Sequence, residues 1–168
     1  MQRKHPFNMK LPLSLLIIVL LSCNSETGTG ISEKDAKALR QLHEDYIKFW
    51  LQNDSAKVVD LFLENGAIVP PNNKGDIVKG RKSIGAWWFT ANGDTTYPIT
   101  SFVYKNDSLT AAGNLATWEG VSEVGWETRV KDSVVSSHSS ITNFITVCKK
   151  ENGEWKIYRQ IWNQKPSK

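Results

Sequence analysis

The sequence predicts an α+β domain in which three N-terminal helices pack on a strongly curved, mainly antiparallel sheet. Three observations support this class. Apolar residues recur at helical spacing between positions 32 and 63, β-rich runs follow one another from position 97 onward, and Asn152-Gly153 separates two of these runs as a hairpin turn does. Strands as long as these must twist and coil, and a coiled sheet closed by helices forms a cone with a central cavity.

The first helix begins at Ser32, which is followed three residues later by an acid, as at a capped helix start. An apolar stripe then runs along the helix at steps of three and four residues. The stripe consists of Leu39, Leu42, His43, Tyr46, Phe49, Trp50 and Asn53. Asn53-Asp54 ends this helix and caps a second helix, which we predict over 55–63.

A short strand over 67–69 ends at Pro70-Pro71, because proline cannot donate to a strand ladder. A third helix is predicted over 80–91. Four long strands follow, with a turn at Asn106-Asp107 between the first and the second. Their predicted ranges are 99–105, 109–126, 134–149 and 155–162.

The first 22 residues resemble a secretory signal peptide. Three cations precede an apolar run over 11–21, which is too short to cross a bilayer. Leu20-Leu21-Ser22-Cys23 resembles the bacterial lipobox, in which the cysteine is lipidated and becomes the new N-terminus. The alternative is an ordinary signal with a chance cysteine. We expect lipidation at Cys23, and Asn24 after it favours the outer over the inner membrane of a bacterial cell envelope.

The chain therefore divides into a lipoprotein signal peptide over 1–22, a lipidated flexible tether over 23–30 and one domain over 31–163. The net charge of the whole chain is +4, but the signal carries three of the cations. The remainder has 18 basic and 17 acidic residues, so nucleic-acid binding has no electrostatic support. Cys148 would be the one free thiol and is expected to be buried in a strand, and no spacing indicates a disulfide, a metal site or a cofactor.

Five stretches, in order, carry a resemblance to a known superfamily: YIKFWLQND, VVDLFLENGAIVPP, VKGRKSIGAWW, LTAAGNLATWEG and NGEWKIYRQIWN. They span about 31–163. The pattern resembles the cone-shaped superfamily of nuclear transport factor 2, SnoaL-like polyketide cyclases and ketosteroid isomerases. It is most similar to the SnoaL-like group, whose domains often have no assigned activity.

Of the three catalytic positions of ketosteroid isomerases, this sequence matches one. Tyr46 matches the isomerase tyrosine that donates a hydrogen bond to the developing oxyanion. The position of the isomerase base falls on Pro70, with Val69 beside it, and neither side chain accepts a proton. The region of the second oxyanion acid reads SSITNFITVCKK, without a carboxylate. We therefore expect no activity of that mechanism, and whether the domain is an enzyme stays open.

Candidate ligand-binding residues follow from aromatic content and strand alternation. They are Tyr46, Trp50, Trp88, Trp118, His138, Asn143 and Arg159. Alternation places Asn143 with Ile141 and Ile145, and Arg159 with Trp155 and Ile157, on faces expected to point into the cone. Structural alternatives stay open: Tyr46 and Trp50 as plain core, Arg159 in an ion pair and His138 at the surface. We expect Trp88 near the cavity mouth and Trp87 in the core.

Three functions remain. The leading one is a lipid-anchored domain that binds a small, largely apolar molecule in an aromatic-lined cavity. The second is an isomerase, cyclase or hydrolyase that uses His43 or His138 with Tyr46. The third is a protein-interaction module with a solid cone. A homodimer is expected through the outer sheet face, where alternation places Tyr158 and Trp162.

Overall fold

The structure is a computed structural model that describes residues 30–71, 75–89 and 93–165. The predicted signal peptide over 1–22, the lipidation residue Cys23 and the tether up to Thr29 lie outside the described residues. Within the described ranges, no helix has the length and apolar character needed to cross a membrane.

Three helices and seven strands make up the described chain. In order along the chain they are α1 (Glu33–Leu51), α2 (Ser55–Asp60), β1 (Phe62–Val69), β2 (Val78–Lys79), α3 (Arg81–Trp88), β3 (Thr95–Thr96), β4 (Ile99–Ala112), β5 (Leu115–Val130), β6 (Ser133–Glu151) and β7 (Glu154–Gln164). The strands form one sheet in the order β2-β1-β7-β6-β5-β3, with β4 also paired to β5. The β1–β7 pair is parallel and the other described pairs are antiparallel. The predicted fold class is confirmed: helices cover the concave face of a strongly curled half-barrel.

α1 follows the predicted capping and stripe. The side chain of Ser32 accepts a hydrogen bond from the backbone N–H of Asp35, and Leu39, Leu42, His43 and Tyr46 are buried. Burying this stripe places α1 along the concave side of the sheet, against β4 and β7.

The second helix is shorter than predicted. α2 ends at Asp60, and Phe62 and Leu63 already belong to β1, where both are buried. The apolar run fits either element, and pairing of Phe62 with Ile157 of β7 decides for the strand. β1 ends at Val69 before Pro70-Pro71, as expected.

Asn106-Asp107 forms a bulge, so the predicted turn at this position is wrong. β4 continues through it to Ala112, and the chain turns at Gly113-Asn114. Lys105 pairs with Val121 and Ser108 pairs with Glu119, which leaves residues 106 and 107 opposite Gly120 alone. Asn106 has a φ of 49°, a left-handed conformation that asparagine tolerates.

A second bulge lies in β7. Cys148 of β6 pairs with Ile157, but the next residue, Val147, pairs with Arg159, so Tyr158 is an extra residue. The bulge reverses the side-chain alternation expected for the rest of β7. Inward positions continue with Gln160 and Trp162 instead of Arg159 and Ile161. The hairpin before this strand is the predicted one, and both Asn152 and Gly153 have positive φ.

Hydrogen bonds close the end of the cone where α1 begins. Lys150 Nζ donates to Asp35 Oδ1 at 2.6 Å, and Trp155 Nε1 donates to the same oxygen at 2.9 Å. The bond from Lys150 is the main reason that the pKa of Asp35 falls to about 2. The start of α1 is thereby fixed to both β6 and β7.

Candidate functional site

The cone interior contains a cavity of about 10 Å³ between α1 and the sheet. Its lining is mainly apolar and aromatic: Leu39, Leu42, His43, Tyr46, Tyr104, Trp118, Thr146, Cys148, Ile157 and Gln160. A volume of roughly 10–15 Å³ is needed to hold one water molecule. The space left between α1 and the sheet is therefore no larger than one water molecule, and side chains fill most of the expected central cavity.

His43 is the most unusual residue in the lining. It is 8% exposed, and its ring lies between Tyr104, at 4.2 Å between centroids, and Trp118, at 3.7 Å. Its Nε2 has no hydrogen-bond partner within the described part of the chain. Burial lowers the pKa of His43 to about 4, so the ring is neutral at pH 7.

Tyr46, one turn further along α1, begins a polar chain across the cone. Its hydroxyl donates to Gln160 Oε1 at 3.1 Å, and Gln160 Nε2 donates to Thr146 Oγ1 at 3.4 Å. Burial raises the pKa of Tyr46 to about 12, so the hydroxyl keeps its proton. This chain links the helix to β6 and β7 by groups that can orient a polar atom of a ligand.

Trp118 forms the wall on the β4 side. Its indole N–H donates to Asp107 Oδ2 at 2.8 Å, and Asp107 also acts on the pKa of His43, in the direction opposite to the larger effect of burial. Cys148 lies deeper, and burial raises the pKa of its thiol to about 12. The thiol is therefore protonated and unreactive in the closed cone.

The lining carries no Asp, Glu, Lys or Arg. With His43 neutral and both the Tyr46 hydroxyl and the Cys148 thiol protonated, the interior offers hydrogen-bonding groups without a formal charge. Such a site disfavours an anion or a cation, because nothing compensates its lost hydration. Across the described ranges, no cluster of histidine, cysteine or carboxylate side chains could hold a metal ion.

A second group of rings, the aromatic cluster, lies towards the C-terminal end of α1. It consists of Trp50, Trp87, Trp88, Phe89 and Trp162, which contact one another mainly edge to face. Trp50 Nε1 lies close enough to lower the pKa of Tyr46 slightly, but it makes no hydrogen bond of good geometry with a described residue. Trp50 and Trp88, both predicted to bind ligand, thus lie outside the cavity lining. Trp87 and Trp88 are both half-buried, so the predicted division between them does not appear.

The inward orientation predicted for Asn143 is wrong. The inward residues of β6 are Thr142, Phe144 and Thr146, all buried, and Asn143 is exposed on the convex face. Both faces of this strand look apolar in the sequence, but Phe144 and Cys148 are buried in the core, whereas Ile141 and Ile145 are exposed.

The inward orientation predicted for Arg159 is also wrong, because the β7 bulge comes before it. Its guanidinium donates to the backbone oxygen of Asn65 at 3.1 Å and lies 3.6 Å from the ring centre of Tyr158. The expected carboxylate partner is replaced by a carbonyl and an aromatic face. No cation of the described chain therefore enters the cavity lining.

His138 lies on the same side of β6 as Phe144, but beyond the part of the sheet that the helices cover. It is exposed, stacks on Trp126 at 5.3 Å and hydrogen-bonds through Nε2 with Ser136 and Thr128. Of the predicted ligand-binding residues, the cavity brings together Tyr46 and Trp118, and His43 joins them from the enzymatic alternative.

The sequence reasoning missed Tyr104, Thr146, Cys148 and Gln160 as lining residues. Tyr104 lies on the inward face of β4 with Phe102, and simple alternation could have found it. Gln160 could not be found this way, because only the bulge at Tyr158 turns it inward. Cys148 was expected to be buried, which is confirmed, but not to line the cavity.

No protein-family profile and no curated protein matches the chain. Solved structures do match over most of it. A candidate dehydratase of the NTF2-like family from Streptomyces avermitilis has a TM-score of 0.68 at 11% identity, covering 82% of this chain and all of that one. An NTF2-like protein with a cystatin-like fold from Novosphingobium aromaticivorans has a TM-score of 0.58 at 16% identity, and the match covers 80% of this chain and 84% of that one. A ketosteroid isomerase-like protein from Erwinia carotovora atroseptica has a TM-score of 0.56 at 13% identity, and the match covers 81% of this chain and all of that one.

Identities this low show a common fold and leave activity open. The overall architecture agrees with the resemblance stated from the sequence: helices on the concave face of a curled, mainly antiparallel sheet. The chain has the NTF2-like cone fold.

Proposed function

We propose that this protein is a lipid-anchored domain of the bacterial cell envelope that binds a small, uncharged, largely apolar molecule inside the cone. One observation carries the proposal: His43, whose buried Nε2 has no hydrogen-bond partner among the described residues, lines a cavity whose lining has no charge. The rings of Tyr104 and Trp118 supply apolar walls, and Tyr46 with Gln160 supplies polar groups.

The energetic reason is the cost of the unpaired nitrogen. A buried polar atom without a hydrogen bond costs on the order of 1–3 kcal/mol. A ligand that hydrogen-bonds to Nε2 of His43 recovers that free energy on binding. The apolar surface of the ligand also leaves water and contacts the rings of the lining, which stabilises the complex further. A ligand carboxylate would lose its hydration without compensation, because the lining contains no cation and Arg159 lies outside the cavity.

The cavity must enlarge for binding. Pockets for drug-sized ligands usually have volumes of about 300–1,000 Å³, against about 10 Å³ in the closed cone. Ligand binding therefore requires a ring of the lining to move, and the ligand selects the open conformation. A single-ring molecule needs the smallest movement.

A thermal-shift screen tests the proposal with pairs of single-ring compounds, each pair one neutral phenol, amide or ketone and the matched carboxylate. Neutral members should raise Tm and the carboxylates should not. His43→Phe, which keeps the ring and removes the nitrogen, should lose the shift, while His138→Ala should retain it. The proposal fails if no neutral compound raises Tm, or if His43→Phe responds as the unsubstituted protein does.

Dehydratase or isomerase chemistry is the second candidate, favoured by His43 and Tyr46 lining one cavity. One structure of the same fold, at 11% identity, is described as a candidate dehydratase. His43 with a pKa of about 4 stays unprotonated above about pH 5, so a reaction using it as a base should have a flat rate profile at higher pH. A turnover that persists in His43→Phe would exclude this role.

The anchor at Cys23 and the envelope location remain part of the proposal, supported by the signal-like segment over 1–22. Growth with a labelled fatty acid should transfer label to the full chain, and Cys23→Ser should abolish transfer. Fractionation of the membranes then tests the outer-membrane assignment, which an inner-membrane signal would contradict.

We propose a homodimer through the convex sheet face, with corrected residues. Trp162 packs on Trp87 and Trp88 and is unavailable. Ile145 pairs with Ile161, Ile141 lies on the same face, and all three are more than 40% exposed. Light scattering after size exclusion should give a dimer that Ile145→Lys dissociates and that Val135→Lys, at the far end of the sheet, leaves intact. A monomer at tens of micromolar would refute the dimer.

A further inference from the structure

The bulge of β4 folds over the concave face of β5 beside the cavity. Gly120 pairs with the inward-facing Phe144, and a Cβ on Gly120 would lie 2.8 Å from the Cα of Asp107. The bulge can occupy this position only because residue 120 has no side chain. It brings the carboxylate of Asp107 to the indole of Trp118.

Trp118 is the least secured part of the cavity wall. β4 is an edge strand of the described sheet, so no further strand covers this flank. The indole, itself partly exposed, covers the ring of His43, and its one polar contact is the 2.8 Å hydrogen bond to Asp107, which is exposed. Rotating one side chain here would connect the cavity to solvent.

The other boundaries are held more firmly. Tyr46 is hydrogen-bonded to Gln160 and packed against Trp50 and Phe102. The end of the cone where α1 begins is held by the two hydrogen bonds to Asp35. The remaining walls are Leu39 and Leu42 of α1, both buried against the sheet, and paired strands, which cannot separate without losing ladder hydrogen bonds.

We propose that Trp118 is the movable wall through which a small uncharged ligand enters the cone, and that Asp107 is the positioning residue that holds it closed. The inference rests on the proposed ligand site and explains how a cavity of about 10 Å³ becomes large enough. An opening on the order of 150 Å³ admits a molecule the size of benzene, and displacing an indole ring creates a space of that order.

Cys148 is a built-in probe for this opening, because its thiol lines the same cavity and is protected when the cone is closed. The full-length protein is treated with iodoacetamide under native conditions, and alkylation of Cys148 is followed by peptide mass. Asp107→Ala should accelerate the reaction roughly five- to tenfold, the effect of losing a hydrogen bond to a charged acceptor at a partly exposed site. Asp107→Asn retains an acceptor oxygen, so its alkylation rate should lie between those of the unsubstituted protein and Asp107→Ala.

Trp118→Phe removes the donor but keeps a ring, so it should accelerate alkylation like Asp107→Ala. Both substitutions remove the same hydrogen bond, between Trp118 and Asp107, so the double variant should be alkylated no faster than either single variant. The matched control is Glu123→Ala, which removes an exposed ion pair with Lys105 from the neighbouring part of β5 and should leave the rate unchanged.

An unchanged alkylation rate in Asp107→Ala would overturn the inference, as would a rise fully accounted for by a loss of global stability in urea. These readings need no ligand, so they are independent of the ligand screen. If Asp107→Ala accelerates alkylation but no compound of the ligand screen binds, the movable wall is supported and the proposed ligand-binding function is refuted. Ligand binding with no effect of Asp107→Ala would move the entrance elsewhere.

Discussion

His43 shows what periodicity predicts for one residue and where it stops. The helical stripe of α1 placed His43 beside Tyr46 on the buried face, and the structure confirms that placement. Its stacking between Tyr104 and Trp118 depends on strands more than 60 positions away along the chain. No local pattern encodes such contacts, so neither the unpaired nitrogen nor the extent of burial that lowers the pKa of His43 could be predicted.

Stability should therefore fall as the pH drops from about 6.5 to about 4. In that window the unfolded chain binds a proton at His43, whose ordinary pKa is 6.5, while the folded protein does not, because burial lowers the pKa to about 4. The unfolded state binds more protons, so the free energy of unfolding decreases with falling pH, by about 3 kcal/mol in total.

Urea unfolding across that window measures the effect, and His43→Phe should show a much flatter profile. The loss linked to Asp35 belongs to a lower window, between its ordinary pKa of 3.8 and its folded value of about 2. Parallel losses in the unsubstituted protein and in His43→Phe above pH 4 would show that His43 is not responsible.

At the scale of elements, the order of the helices and of the long strands could be predicted, whereas the two-residue strands β2 and β3 and the register of the sheet could not. α1, α3 and the last hairpin are close to expectation. Two bulges, at Asn106-Asp107 and at Tyr158, account for the wrong turn and the wrong orientation of Arg159. A bulge adds residues to one strand, so every later position changes face while the local sequence still reads as a regular strand.

Gly120→Ala should destabilise the protein by about 1–3 kcal/mol, because its Cβ would meet the backbone of Asp107 at 2.8 Å. Gly85→Ala in α3 is the matched control. Its Cβ would meet only the Val59 side chain, at 3.4 Å, and alanine favours the helix, so stability should stay or rise by up to about 1 kcal/mol. Urea unfolding measures both. Equal stabilities of Gly120→Ala and the unsubstituted protein would mean that the bulge relaxes freely.

For the whole molecule, the ordered motifs predicted the cone correctly but not how full it is. Fold class depends on the sequence of elements, whereas the volume left inside depends on how individual rings pack, and shifts of a fraction of an ångström decide it. The two ends of the cone also differ in which parts of the chain they contain. Gly30 and the start of α1 lie at the end near Ala111 and the Gly113-Asn114 turn, while the β5–β6 turn lies at the other end of β5.

This asymmetry predicts an orientation at the membrane, given lipidation of Cys23. The seven residues from Asn24 to Gly30 span at most about 25 Å, so the end of the domain near Asn114 must stay close to the bilayer. A quencher placed in the lipid headgroups should therefore dim a fluorophore on Asn114→Cys more strongly than one on Ser137→Cys, in the part of β6 towards the β5–β6 turn. The native Cys148 thiol is buried with a raised pKa and should not compete for label. Equal quenching at both positions, with lipidation confirmed by mass, would show that the domain lies flat or tumbles on its anchor. Stronger quenching at Ser137→Cys would reverse the predicted orientation.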